Sequence, residues 1–170
     1  MDSFSAAGHR PATSQLRTPP TLRDWERLMH HGRHAQLLGQ QTSALQLTLE
    51  ALTLAATLLE ERLGPPDDCV AAWVVSQHNM AFLRQQAGDT DSAASDLCQA
   101  HAGLMALLRD ASASPALQQA AWRHSRETHA ALLQFLREPG VPAHASALTQ
   151  VRQALSAHAN LAQHCGATAH

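Results

Sequence analysis

Gly32, Gly39, Ala44 and Ala51 stand 7, 5 and 7 residues apart, and Ala81, Gly88, Ala93 and Ala100 repeat that spacing 49 residues later without a gap. Ala55 and Leu58 extend the alignment to Leu104 and Leu107. A fixed period restricts a chain to stacked copies of one supersecondary unit. The small residues let neighbouring backbones approach, and a glycine between two elements accepts a turn conformation that a β-carbon penalises.

The unit is helical. Ala93, Leu97, Ala100, Leu104 and Leu107 step by 4, 3, 4 and 3, which places them on one helix face. Leu45, Leu49, Leu52, Ala56, Leu59 and Leu63 step in the same way and predict a second buried stripe. Aromatics make up only 4% of the chain, and much of its 45% hydrophobic content is Ala and Leu, both strong helix formers. Caps and breakers delimit six helices, at roughly 22–38, 41–63, 68–87, 90–110, 115–137 and 143–164. Thr21 with Asp24, Asp89 or Thr90, and Ser114 before Pro115 supply starts; Gly39, Gly64-Pro65-Pro66, Gly88 and Pro139-Gly140 supply stops. Connections this short make neighbouring helices antiparallel hairpins. The expected fold class is all-α, about six helices in antiparallel hairpins stacked as a short array. Residues 1–20, polar and broken by Gly8, Pro11, Pro19 and Pro20, are expected to be a disordered tail. Residues 21–165 form a single domain, and 166–170 a frayed end.

Several function classes are disfavoured. Net charge is −2 and no run of Arg makes a basic stripe, so nucleic acid is not an expected partner. The N-terminus lacks the charged and apolar regions of a signal peptide. Residues 42–59 are long enough to span a bilayer, but Gln46, Glu50 and four Thr interrupt them, so a buried helix of a soluble bundle is expected and no membrane. Cys69, Cys98 and Cys165 are odd in number and lack a C-x-x-C spacing, which points to a reducing cytoplasm. The absence of Ile, Lys and Tyr indicates GC-rich, bacterial coding. No phosphate loop, paired catalytic carboxylates or nucleophile signature occurs, so neither an enzyme nor a cofactor is expected.

The repeat resembles the tetratricopeptide repeat. "HNMAFLRQQAGDTDSAASDLCQA", residues 78–100, carries the family's skeleton: Asn79-Met80-Ala81, the turn at Gly88-Asp89, then Ala93, Leu97 and Ala100. Residues 28–51 resemble it less closely, because His31 stands at an apolar position. A third unit is irregular: Ala130 is in register, but its turn glycine would be Gly140, with Ala147 and Ala154 following, so the unit is either degenerate or built of longer helices. The period of 49 exceeds the family's usual ~34. The resemblance implies a right-handed array with a concave groove lined by the first helix of each pair. Its groove positions fall on Met29, Arg33 and Gln36, on His78, Asn79, Phe82 and Gln85, and on His124 and Glu127. Such a surface implies binding of another protein or peptide as an adaptor, chaperone-like module or regulatory subunit, with self-association also expected. Met29 and Arg33 replace the Lys and Asn of the family's two-carboxylate clamp, so a C-terminal carboxylate ligand is not implied.

A different class of function comes from the twelve histidines. His30 and His34, one helical turn apart, share a face and form a candidate metal pair. His31 lies about 100° away around the helix. His31 and His129 align with Met80, and buried, hydrogen-bonded rings are expected there. His164, Cys165 and His170 form a weaker cluster at the frayed end. The alternative function is therefore a helical metal-binding or metal-sensing protein.

Overall fold

A computed structural model describes residues 19–138 and 145–166, with side chains in the last helix described for 146–156. Residues 1–18 of the expected tail, Pro139 and Gly140, and 167–170 of the frayed end lie outside the described residues, as do the side chains of His164, Cys165 and His170. Six helices follow in order: α1 Leu22–Leu37, α2 Gln41–Glu60, α3 Pro66–Gln86, α4 Thr90–Arg109, α5 Pro115–Phe135 and α6 Ala145–Gly166. No strand occurs among the described residues.

Local chemistry explains the boundaries. Thr21 and Asp24 form a reciprocal capping box at the start of α1. Asp89 accepts from the Ser92 N–H at 3.2 Å, and Ser114 accepts from Leu117 N–H at 3.2 Å ahead of Pro115. The Asp89 carboxyl is held below the usual carboxylate range by its hydrogen bonds to Ser92. Helix α2 ends at Glu60, three residues earlier than its composition predicts. Leu63 N–H reaches back to the Leu58 carbonyl at 2.9 Å, with Arg62 in the left-handed region at φ 58°.

The 49-residue period holds at the level of single hydrogen bonds. At the end of α1, Leu38, Gly39 and Gln40 donate to the carbonyls of His34, Gln36 and Ala35. At the end of α3, Ala87, Gly88 and Asp89 donate to Leu83, Gln85 and Arg84, each 49 residues on. Gly39 and Gly88 take φ values of 71° and 81°. Helices α2 and α4 have identical lengths and registers at this offset, as do α3 and α5.

Consecutive helices from α1 to α5 pack on one another, and α1, α3 and α5 also touch in turn. Ala35, Ala44 and Leu83 form one core cluster; Val70, Val74, Leu104, Leu117 and Ala121 anchor a second. A third joins Ala81, Ala93, Leu97, Leu132 and Phe135 to Ala147 and Val151 of α6.

Four expectations need correction. The buried face of α2 is Ala44, Thr48, Ala51, Ala55 and Leu58, not the leucine stripe. Leu45, Leu52, Ala56, Leu59 and Leu63 are half-buried and Leu49 is 46% exposed, because α2 has helices on one side only and close packing selects its small residues. Of the two alternatives for the third unit, a degenerate copy fits better than a longer first helix: α5 ends in register at Phe135, and Arg137 donates to Gln134 where Gly88 donates to Gln85. The extra length lies between α5 and α6. Helix α6 packs mainly along α4 and only weakly on α5, so Ala130 is exposed although its repeat equivalent Ala81 is buried. Finally, His31 is exposed rather than buried, and His129 is half-buried.

Candidate functional site

The helices α1, α3 and α5 present one surface containing two clefts. The first, about 390 Å³, lies between α1 and α3 and is lined by Met29, His30, Arg33, Gln36, Val75 and Asn79, with Gly32, Thr48 and Leu83 at its base. The second, about 230 Å³, lies between α3 and α5 and is lined by His78, Phe82, Gln85, Ala131, Gln134 and Glu138, over Ala81, Leu97 and Phe135. Seven of the groove residues expected from sequence therefore fall on the two clefts, four on the first and three on the second.

Small residues make these clefts possible. A β-carbon at Gly32 would stand 3.2 Å from the Thr48 hydroxyl, so α1 lies close over α2. Gln36 donates to the Gln86 side chain at 3.2 Å, tying α1 to α3 at one end of the first cleft. At the other side of the α1–α3 contact, Trp25 donates its indole N–H to the Ser76 hydroxyl at 2.8 Å. Asn79 spends its amide on its own helix, donating to the Val75 carbonyl at 2.8 Å. Val75 and Phe82 are exposed by 40% and 48%, large apolar side chains presented to solvent within the clefts.

His124 and Glu127 take a different place. His124 is buried on α5, with Nδ1 3.1 Å from Glu127 Oε2 and Nε2 3.5 Å from Asp67 Oδ1. Arg123 pairs with the same Asp67 at 2.7 Å. This polar cluster fastens the first turn of α3 to α5 and lines neither of the two clefts. Burial pushes the His78 imidazole below its ordinary value, and the nearby Glu127 charge opposes the shift.

The sequence reading missed Gln134, Phe135 and Ala131. Gln134 follows Gln85 by 49 residues, so the repeat itself contained the signal. It also missed two buried polar pairs. His101, 1% exposed, shares a 2.8 Å hydrogen bond with Thr128 and stacks at a tilt 5.9 Å from His129. Arg84 donates to buried Asp96 at 2.8 Å, yet burial still pushes the Asp96 carboxyl up to about 6.

His30 and His34 are both exposed on α1. His30 faces His31 edge-on at 6.1 Å. Among the described residues no group of three His, Cys, Asp or Glu is placed to hold a metal ion. Cys69 is a buried free thiol, and burial pushes the half-buried Cys98 thiol up to about 11, which removes thiolate character at neutral pH. Helix α2 is long and apolar enough to cross a membrane by length and composition, although here it packs on α1 and α3.

A family model covering residues 23–166 matches, described as a protein of unknown function (DUF2753). No curated protein and no solved structure matches.

Proposed function

The chain belongs to the DUF2753 family, and on that premise we propose that it is a protein–protein interaction module, a short right-handed array of tetratricopeptide-like hairpins without catalysis. The carrying observation is the paired clefts between the first helices of successive hairpins, with Val75 and Phe82 presented to solvent inside them. A polar rim around exposed apolar anchors suits a peptide or protein partner. The identical hydrogen bonds closing α1 and α3 support the repeat reading, because they make each hairpin one copy of a unit. The role we propose for such a module is that of an adaptor, chaperone-like protein or regulatory subunit; the lack of Ile, Lys and Tyr and the odd cysteine count support a bacterial cytoplasm as its setting.

The test is site-specific photo-crosslinking in cells. A photoreactive residue replacing Phe82 should capture a discrete partner, and one replacing Glu50 on the opposite side of α2 should not. Capture at position 50 alone would overturn the assignment of the binding face.

A further inference from the structure

The two clefts share a feature that the cleft shapes alone do not reveal. Gln36, Gln85 and Gln134 are each the penultimate residue of α1, α3 and α5, at equal steps of 49 residues. Gln36 lines the first cleft; Gln85 and Gln134 line the second. Among the described residues no side-chain hydrogen bond ties down Gln85 or Gln134, and Gln36 engages only the Gln86 side chain. One helical turn before each glutamine stands Arg33, Phe82 or Ala131, also at 49-residue steps and also in the clefts. Each hairpin thus offers the same pair of positions: a constant amide and a variable residue.

A carboxamide is the complement of a peptide unit, since it donates and accepts at once. Packed helices stand 8–10 Å apart, and an extended chain advances about 3.3 Å per residue. Three residues of extended peptide therefore cover about one helix-to-helix step. A bound helix would keep its backbone groups in its own hydrogen bonds and leave the glutamines only its side chains, which do not recur at the step of the clefts.

From this geometry we infer that the surface takes an extended peptide, its backbone held by Gln36, Gln85 and Gln134, with an acidic side chain at Arg33 and an apolar one three residues away at Phe82. This deepens the protein-binding reading and rests on it. Arg33 and His30 are the titratable groups lining the first cleft, so that end favours an acid. In the second, Phe82, Phe135 and Leu97 surround the space beside Ala131, which leaves room for a large apolar side chain. His78 and Glu138 are the titratable groups there and set no single charge preference.

Selection of linear twelve-residue peptides from a random phage library against the intact protein tests this. Enriched sequences should carry Asp or Glu three residues from an aromatic or aliphatic residue. Arg33→Glu should abolish the acidic preference. Gln85→Leu and Gln134→Leu should each weaken a synthetic winner about tenfold, as loss of one buried hydrogen-bond partner predicts, while circular dichroism of the variants stays unchanged. N-methylation of the peptide backbone should weaken binding at one position in three. Winners that gain helicity on binding, or that ignore both glutamine variants but lose binding to Phe82→Asp, would overturn the extended-peptide inference and leave the cleft reading standing. If no enriched peptide depends on Phe82, Arg33 or the glutamines, both readings fall.

Discussion

Gly39, Gly88 and Gly103 show how differently one residue type can be required. At Gly88, φ is 81° and a β-carbon would meet nothing within 4 Å. The cost of Gly88→Ala is therefore conformational, about 1 kcal/mol, visible as a lowered urea midpoint at unchanged slope. At Gly103 the backbone is ordinary, but a β-carbon would lie 2.3 Å from the Trp73 ring. Gly103→Ala should cost more, about 1–3 kcal/mol of overpacking, and Trp73→Leu should relieve it. Equal losses in both glycine variants would contradict this division.

Asp96 supplies the pH prediction at the same scale. Its folded pKa, about 6, lies above the unfolded carboxylate value, so the folded state binds the proton more tightly. Stability from this group is present below the unfolded pKa and is lost as pH rises through about 6. Thermal midpoints measured from pH 7 down to 4.5 should therefore improve for the wild type relative to Asp96→Asn. His78 acts in the opposite sense: its lowered pKa means stability is lost as pH falls below the usual histidine value. A wild-type-to-Asn difference that stays flat across this range would refute the Asp96 assignment.

At the scale of elements, the contrast between α3 and α5 makes the repeat testable. Ala81 and Ala130 occupy the same repeat position, but only Ala81 is covered. Ala81→Leu should destabilise by about 1–3 kcal/mol through overpacking, while Ala130→Leu should change the urea midpoint little. Comparable losses at both would mean that α6 covers α5 after all. The same contrast explains what the sequence could and could not reveal. Helix type, the caps Thr21, Asp89 and Ser114, and the small core positions Ala44, Ala51, Ala81, Ala93 and Ala100 were legible, because propensity and close approach act locally. The leucine stripe of α2 misled because spacing identifies a face but not which face has neighbours. The end of α5 was misplaced because Pro139-Gly140 looked like the stop, whereas Leu136 and Arg137 already turn the chain in register. At the site, Gln36 and Gln85 were read from the sequence and Gln134, although the 49-residue offset encodes it, was missed; the His101–Thr128 and Arg84–Asp96 pairs carry no such signal. Each joins residues on different helices whose relative rotation no pattern along the chain encodes.

For the whole molecule, stability should follow position in the stack, since each helix is held chiefly by its neighbours. Helix α3 packs against α1, α2, α4 and α5, and α4 packs against α3, α5 and α6. Native-state hydrogen exchange should accordingly be slowest in α3 and α4 and faster in α1. Uniform protection from α1 to α5 would indicate one cooperative block instead of a graded stack.

The displacement of α6 has a consequence for growth. A stack with a constant step carries no internal instruction to stop, since every new unit leaves the same sticky end as the last. Here the last helix slips past its own hairpin mate and lies along α4, where Ala147 and Val151 close the apolar seam against Ala93, Leu97 and Phe135. A further hairpin stacked in the same register would need that seam open. By occupying it out of step, α6 breaks the constant interval that relates α2 to α4 and α3 to α5.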